Sequence, residues 1–464
     1  MRFLFCGLLG LAVAATLHAD PAKHYEQLCA TCHGADLRGG KGGDLLGALR
    51  HGDPPDALAR SIRDGFPGLG MPAFTQLTDG DIRALVVFLQ ERRRNRIVPG
   101  PAAPLDPQRV WRTEHHTFRV EPIVTEGLHV PWSVDWLPDG RLLVTERNGR
   151  LRVIENGRLL PEPIADIPPV IERGEGGLMA VAVHPAYTNT GWVYLSFSDP
   201  GEGKRAMTKI VRGRIRDHRF VDQETIFALP REQYQEGHVL FGSRLVFAGD
   251  YLFFSVGERG VPTDAQRLDV PNGKIHRVFH DGSIPPDNPF ASQPGAWGSI
   301  WAYGVRNPQG LALDPATGEL WEAEHGPRGG DEVNFIQRGR NYGWPFITYG
   351  IAYDGTPVSD RTEAPGMEQP VRHWTPSIAV SQVAIYSGDR FPAWRGHLLV
   401  GSLAQQKLLR LEIQNGQVVH EEELLSHLGR IRDIKTAPDG HLYLVLEQLH
   451  GASGWVVRLV LDDA

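Results

Sequence analysis

Apolar positions along the chain fall into three regimes. Phe3 to Ala15 is a nearly unbroken apolar run. Between residues 20 and 94 apolar residues recur at helical spacing. The clearest case is Ile82, Leu85, Val86 and Leu89 behind a Thr78-Asp79-Gly80-Asp81 cap, closed by the charged run Arg92 to Arg94. From residue 111 onward that period gives way to short β-branched and aromatic runs, each preceded by turn residues. Pro138-Asp139-Gly140 precedes Leu142-Leu143-Val144, and Pro438-Asp439-Gly440 precedes Leu442-Tyr443-Leu444. Looser copies run from His184-Pro185 to Val193-Tyr194-Leu195, from Gly249-Asp250 to Tyr251-Leu252-Phe253, from Asp314-Pro315 to Leu320-Trp321, and from Phe391-Pro392 to Leu398-Leu399-Val400. Six copies at roughly 60 residues each leave room for four strands and their loops per unit. The pattern predicts a mainly β chain, a six-bladed β-propeller over 111–464, preceded by a small all-α domain over 20–94. Two β-sandwiches would not explain one turn–strand unit recurring six times.

Composition narrows the function classes. The 464 residues are 41% apolar and 22% charged, enough to build a core, and 53 Gly with 35 Pro agree with a turn-rich chain. A net charge of −7 argues against a nucleic-acid binder. The first apolar run is shorter than the ~20 residues of a membrane span. With Arg2 before it and Leu17-His18-Ala19 after it, residues 1–19 read as a secretory signal peptide. This places the protein in the periplasm or outside the cell, with no transmembrane segment after cleavage. Pro99, Pro101, Pro104 and Pro107 mark 95–110 as a semi-rigid linker.

Of three cysteines, two survive cleavage, and both lie in Cys29-Ala30-Thr31-Cys32-His33. This is the attachment signature of a c-type haem: two thiols on one helical turn form thioethers, and the adjacent His33 ligates the iron. A zinc site would need a second ligand pair. Met71 is the one Met between the signal and residue 100, and in Gly70-Met71-Pro72 it follows a Gly/Pro-rich loop. It is the expected sixth ligand, and a Met–His pair raises the haem potential, as suits an electron acceptor. The segment resembles a small class I cytochrome c domain.

The large domain carries Gly304-Val305-Arg306-Asn307-Pro308-Gln309-Gly310, Glu324-His325-Gly326-Pro327-Arg328-Gly329-Gly330-Asp331-Glu332 and Asn341-Tyr342-Gly343-Trp344-Pro345. Asp281-Gly282-Ser283-Ile284-Pro285 and Asp287-Asn288-Pro289 precede them. In this order the motifs resemble the soluble aldose (glucose/sorbosone-type) dehydrogenases that use pyrroloquinoline quinone (PQQ). The resemblance implies a quinone at one end of the propeller channel and a His base that takes the proton of the sugar's anomeric hydroxyl. It also implies cations for the quinone's carboxylates and a calcium ion held mainly by backbone oxygens.

Carried over residue by residue, the resemblance assigns Arg430 and Arg432 to the cofactor. Alternate residues on a strand point the same way, although two arginines on a solvated face is the competing reading. Trp374 falls where the family places an aromatic residue over the sugar, or it packs in the core. Four positions depart from the pattern. Leu240 stands four residues before Arg244, where the family has its base, and the nearest imidazole is His238. Glu175 replaces a glutamine. The family's Arg-Asn pair is absent, with Arg259-Gly260-Val261 following Gly257-Glu258. Ala404 stands at the expected lysine, with Lys407 three residues on. His238, Arg259 and Lys407 are therefore the substitutes through which the site would survive, and His325 is a second candidate base or a structural loop histidine. The expectation is a periplasmic dehydrogenase passing electrons from a sugar through PQQ to haem c and on to a cytochrome or the quinone pool. The alternative is a haem-bearing relay or binding propeller that has lost PQQ and sugar oxidation.

Overall fold

The computed structural model describes residues 20–94, 102–448 and 453–462. The expected signal peptide (1–19) and the first part of the linker (95–101) lie outside them. Four helices make the first domain: α1 (Pro21–Leu28), α2 (Ala30–His33), α3 (Pro55–Asp64) and α4 (Asp79–Arg94). α1 starts where Asp20 accepts from the Ala22 N–H at 2.9 Å. α4 starts in a capping box: Thr78 Oγ1 accepts from Asp81 N, and the Asp81 carboxylate accepts from Thr78 N, both at 3.1 Å. Tyr25, Leu58, Ile62, Phe74, Ile82, Leu85, Val86 and Leu89 form one buried core.

The remainder is six antiparallel sheets arranged as blades. Blade 1 starts with Pro131–Trp136, blade 2 with Leu178–Val183, blade 3 with Gly242–Ala248, blade 4 with Pro308–Leu313, blade 5 with Val380–Ile385 and blade 6 with Arg430–Thr436. These six strands line the central channel. Each of the six turn copies read from the sequence sits between the first and second strand of a blade, as Pro138-Asp139-Gly140 does before Leu142–Glu146. Blade 6 closes the ring: its fourth strand, Thr117–Val124, comes from the start of the domain and pairs with Gly454–Leu461 near the chain's end, with Val110–Arg112 outside it.

A sheet with two apolar faces must bury both, and the ring does so between neighbours. Six apolar clusters fill the six blade interfaces, with Leu143, Val153, Leu195 and Phe197 between blades 1 and 2, and Val134, Val144, Val445 and Val456 closing blade 6 on blade 1. The channel wall is tied across by Arg244 of blade 3. Its guanidinium meets Asp433 of blade 6 at 3.0 Å, donates to Gln309 O and Arg432 O, and lies 4.1 Å from the Trp132 ring of blade 1. Asp433 in turn accepts from Ser133 Oγ and Val134 N, both at 2.9 Å. The second half of the linker is laid on the propeller, because Leu105 has an apolar cluster to join and Ala103 N donates to His427 O at 2.7 Å. Among the described residues, no helix is long and apolar enough to cross a membrane.

Candidate functional site

The residues expected to attach haem come first. α1 ends at Cys29 and α2 begins beside it, so Cys29, Cys32 and His33 share one helical turn, with both thiols free and half-buried. His33 Nδ1 donates to Gly43 O at 2.8 Å, which leaves Nε2 as the free lone pair. Gly42 lies under that ring so closely that a Cβ would stand 2.8 Å from Cε1. Met71 sits in a tight loop closed by mutual backbone bonds with Phe66, and it packs partly buried against the core that includes Cys29. Gly65 makes that loop possible: its φ is +62° and a Cβ there would meet the Pro72 carbonyl carbon at 2.4 Å. Two thiols, an oriented imidazole and a thioether are the donor set of a c-type haem, and these residues fit it.

The second site lies where the six inner strands begin. Arg430 and Arg432, two apart on one strand, both turn to Glu447: Nε of each donates to the same carboxylate oxygen, at 3.3 and 2.6 Å. Among the described residues, no further acceptor takes the Nη groups of Arg430. Arg147, at the end of the second strand of blade 1, feels the charges of Arg432 and Glu447 and donates to Gly174 O at 2.6 Å and Gly176 O at 3.3 Å. Three guanidinium groups thus gather at the mouth, with Glu447 between them and Glu172 and Glu175 within charge range of Arg147.

The Gly174–Gly177 turn joins this cluster to His238. Glu175 N donates to His238 O at 2.8 Å, and Gly174 has no space for a Cβ, which would stand 2.2 Å from that same oxygen. His238 is only partly exposed, and neither of its ring nitrogens has a hydrogen-bond partner or appreciable free surface. Burial, then Arg173, Arg259 and Lys204, hold its pKa below the usual histidine range, so the ring is neutral near pH 7.

The departures from the family pattern resolve into specific contacts. Leu240 is buried, at φ +56°, and its N–H donates to Glu175 Oε2 at 2.7 Å. Asn307 Nδ2 reaches the same oxygen at 3.3 Å. Arg259 is 1% exposed and commits its Nη groups to Val239 O, Gly237 O and Ala206 O, with its guanidinium 3.6 Å from the Phe241 ring centroid. It braces the His238 loop from behind. Lys407 pairs with Glu423 at 2.6 Å, and Trp374 packs in the interface of blades 4 and 5 with Nε1 3.4 Å from Glu421. These last two line one cleft with Pro54, Pro55 and Asp56 of the first domain.

His325 stands on the opposite wall of the mouth. Its Nε2 donates to Val380 O, leaving Nδ1 as the basic atom. Burial, with Arg306, Arg432 and Arg430 nearby and against the bond to Val380, pushes its pKa down to about 3. A small cavity separates it from Thr348, Trp344 and Glu332. Behind it Glu322, Glu324 and Glu332 are buried, with Asn334 bonded to Glu322 and Glu332; burial raises all three, with repulsion among them and from Asp331 adding to it. Among the described residues, no group of three or more His, Cys, Asp or Glu is placed to hold a metal ion.

The structure thus brings together Arg430, Arg432, Glu175, His238 and His325, and adds Arg147, Arg306 and Glu447, which the sequence reading missed. A signal for them existed. Arg147, Glu258, His325 and Glu447 all stand at or just past the end of a blade's second strand, so the phase of the repeat marks the positions that ring the mouth.

Comparison with known proteins follows the same division. Residues 128–458 match the family described as Glucose / Sorbosone dehydrogenase. Residues 16–89 match Cytochrome C oxidase, cbb3-type, subunit III. Aldose sugar dehydrogenase YliI of Escherichia coli (strain K12) is 40% identical over 342 residues, covering 72% of this chain and 91% of that one. The apo-form structure of the soluble aldose sugar dehydrogenase from Escherichia coli superposes with a TM-score of 0.68 at 38% identity, covering 74% of this chain and 100% of that one. The PQQ-bound aldose sugar dehydrogenase from Streptomyces coelicolor gives a TM-score of 0.61 at 27% identity, covering 74% and 98%.

Proposed function

Because the chain belongs to the glucose/sorbosone dehydrogenase family and carries a c-type haem-attachment domain ahead of it, we propose that it is a quinoprotein that oxidises an aldose or related sugar at a CH–OH group and passes the electrons to its own haem. The observation that carries the reading is the convergence of Arg147, Arg430 and Arg432 at the channel mouth, where Arg430 and Arg432 share the carboxylate of Glu447 and Arg147 also feels Glu172 and Glu175. An anion with several carboxylates is what such a group holds.

PQQ bound there would supply the two-electron acceptor for the sugar. Arg430 and Arg432 hold and orient its carboxylates, with Arg147 adding charge from blade 1. His238, neutral and with unpartnered ring nitrogens, would take the proton of the substrate hydroxyl once a side-chain rotation exposes one of them. His325 serves as a hydrogen-bonding wall rather than the base, since a pKa of about 3 leaves it too weak to hold the abstracted proton near neutrality. His33 and Met71 would ligate the haem iron, with Cys29 and Cys32 forming its thioether links. The signal-like start of the chain supports a periplasmic location, where haem attachment and a respiratory acceptor, a cytochrome or the quinone pool, are both available.

The test is haem absorbance of the full chain, matured with haem, on anaerobic addition of aldoses with and without PQQ and Ca²⁺. Haem reduction that requires both sugar and PQQ supports the reading. If no sugar reduces the haem and no PQQ is retained on gel filtration, the reading fails. The substitution of the family's base by Leu240 would then mark a relay or binding propeller.

A further inference from the structure

Helix α4 has two faces, and the first domain's own core uses only one. Ile82, Leu85, Val86 and Leu89 point into that core. Gly80, Arg83, Ala84, Val87 and Glu91 repeat at spacings of three, one, three and four, which draws a second stripe down the helix. Each member of that stripe touches the propeller. Ala84 and Val87, 1% and 0% exposed, form a separate apolar cluster with Ile351 of blade 4. Arg83 donates to three propeller carbonyls, Thr348 O at 3.0 Å, Ser359 O at 2.8 Å and Asp360 O at 3.3 Å. Glu91 takes both Nε and Nη2 of Arg328, the former at 3.0 Å. Gly80 lies so close that a Cβ would stand 2.3 Å from Asp360 Oδ1 and 2.9 Å from Pro357 Cβ.

We infer that this stripe is a docking surface built for the blade 4 rim, and that Arg83, Glu91 and Gly80 are the positioning residues that seat the haem domain on the very loop that carries His325. Arg328 is three residues from His325 in the same turn. Thr348, whose carbonyl receives Arg83, lines the cavity beside His325. A guanidinium spread over three backbone carbonyls fixes orientation as well as distance. A loosely tethered domain meeting the rim by diffusion would need neither that fork nor a bare glycine. The rim that receives the domain is also the one onto which the arginine mouth opens, so docking and electron entry share a face.

The consequence for electron transfer rests on the proposed dehydrogenase reading. Oxidation of one sugar CH–OH to C=O releases two protons to solvent and two electrons, and one ferric haem accepts one. The first electron therefore leaves to an external one-electron acceptor before the second reduces the haem again. In the docked arrangement both crossings are intramolecular.

The docking itself is tested without sugar or quinone, by small-angle scattering of the full haem-loaded chain at low protein concentration. The wild-type chain is expected to give the compact radius of the docked arrangement. Glu91→Arg and Arg83→Ala each lower the docking equilibrium constant by about tenfold or more, enlarging the radius, while Glu91→Arg combined with Arg328→Glu returns it to the wild-type value. A wild-type radius that already matches an undocked chain overturns the inference. So do single variants that leave the radius unchanged with the haem spectrum intact. In a second arm, sugar-driven haem reduction should be independent of protein concentration in both proteins, because the linker tethers the domain, and slower in Arg83→Ala. Scattering that responds while no variant's haem is reduced would uphold docking and reject the dehydrogenase reading alone.

Discussion

The backbone N–H of Leu240 donates to Glu175 Oε2 at 2.7 Å. Two positions that depart from the family pattern are thus in contact with each other. The carboxylate is also reached by Asn307 Nδ2, so its charge is engaged by donors on its own side of the mouth. A glutamine would keep the acceptor and lose the charge. Glu175→Gln is accordingly expected to leave the fold unchanged and tighten PQQ binding by about tenfold, since removing one nearby negative charge is worth roughly 1.4 kcal/mol or more at an effective dielectric near 20. A fluorescence titration of both proteins with PQQ checks this.

The proton-transfer role proposed for His238 gives its ionisation a definite sign. Its pKa is held below the usual 6.5, so the basic form dominates at neutral pH. The rate should rise with pH through that lowered pKa and be flat around pH 7. His238→Ala should lose about 10²–10⁴ in kcat and the pH step with it. A kcat profile between pH 4.5 and 8 in both proteins decides the matter, and an unchanged kcat in the variant would remove His238 from the mechanism.

Arg432 and Lys407 separate what the mouth uses from what the rim uses. Arg432 leans on Glu447 at 2.6 Å within the cluster, while Lys407 spends its ammonium on Glu423 at 2.6 Å beside the first domain. Losing a charge-assisted contact costs about 1.5–3 kcal/mol, so Arg432→Ala is expected to weaken PQQ retention by about 10–100-fold. Lys407→Ala should leave it nearly unchanged. Equilibrium dialysis of the two variants provides the comparison.

Arg244 and Asp433 form a buried pair across the channel, 3% and 0% exposed at the side chain. Removing one partner strands the other charge and costs about 3–5 kcal/mol. Arg244→Met should therefore lower the propeller's urea midpoint substantially, while the haem spectrum, which reports on the other domain, stays native until higher urea.

In the first domain the His33 ring rests on Gly42, where a Cβ would stand 2.8 Å from it, and is oriented by Gly43 O. Gly42→Val should displace the ring and shift the haem's ligand-field spectrum. Met71→Ala, losing the thioether, should lower the reduction potential, because Met–His ligation raises it. A spectroelectrochemical titration of each variant measures both effects.

Much of this molecule was legible in one dimension. The Cys29–Cys32–His33 run places two thiols and an imidazole on a single helical turn, and local geometry needs no fold to make that so. The six turn–strand copies fall between the first and second strands of the six blades, because a tight turn and the strand leaving it are specified by neighbouring residues. The motifs from Gly304 to Pro345 carried the family by themselves. Side-chain direction across the ring was another matter. Nothing in the run from Gly257 to Val261 says that Arg259 turns back onto the carbonyls of 237 and 239, and nothing near Lys407 says that its partner is Glu423. Arg147 and Glu447 lie 300 residues apart in sequence, yet the closed ring brings them into one charge cluster. The second stripe of α4 was present in the spelling of Gly80, Arg83, Ala84, Val87 and Glu91. Its meaning came only from the loop of blade 4 that it meets. Local chemistry is set by residues within a turn of one another, whereas a site at a propeller mouth is assembled from strand ends far apart in the chain, which only the tertiary structure brings together.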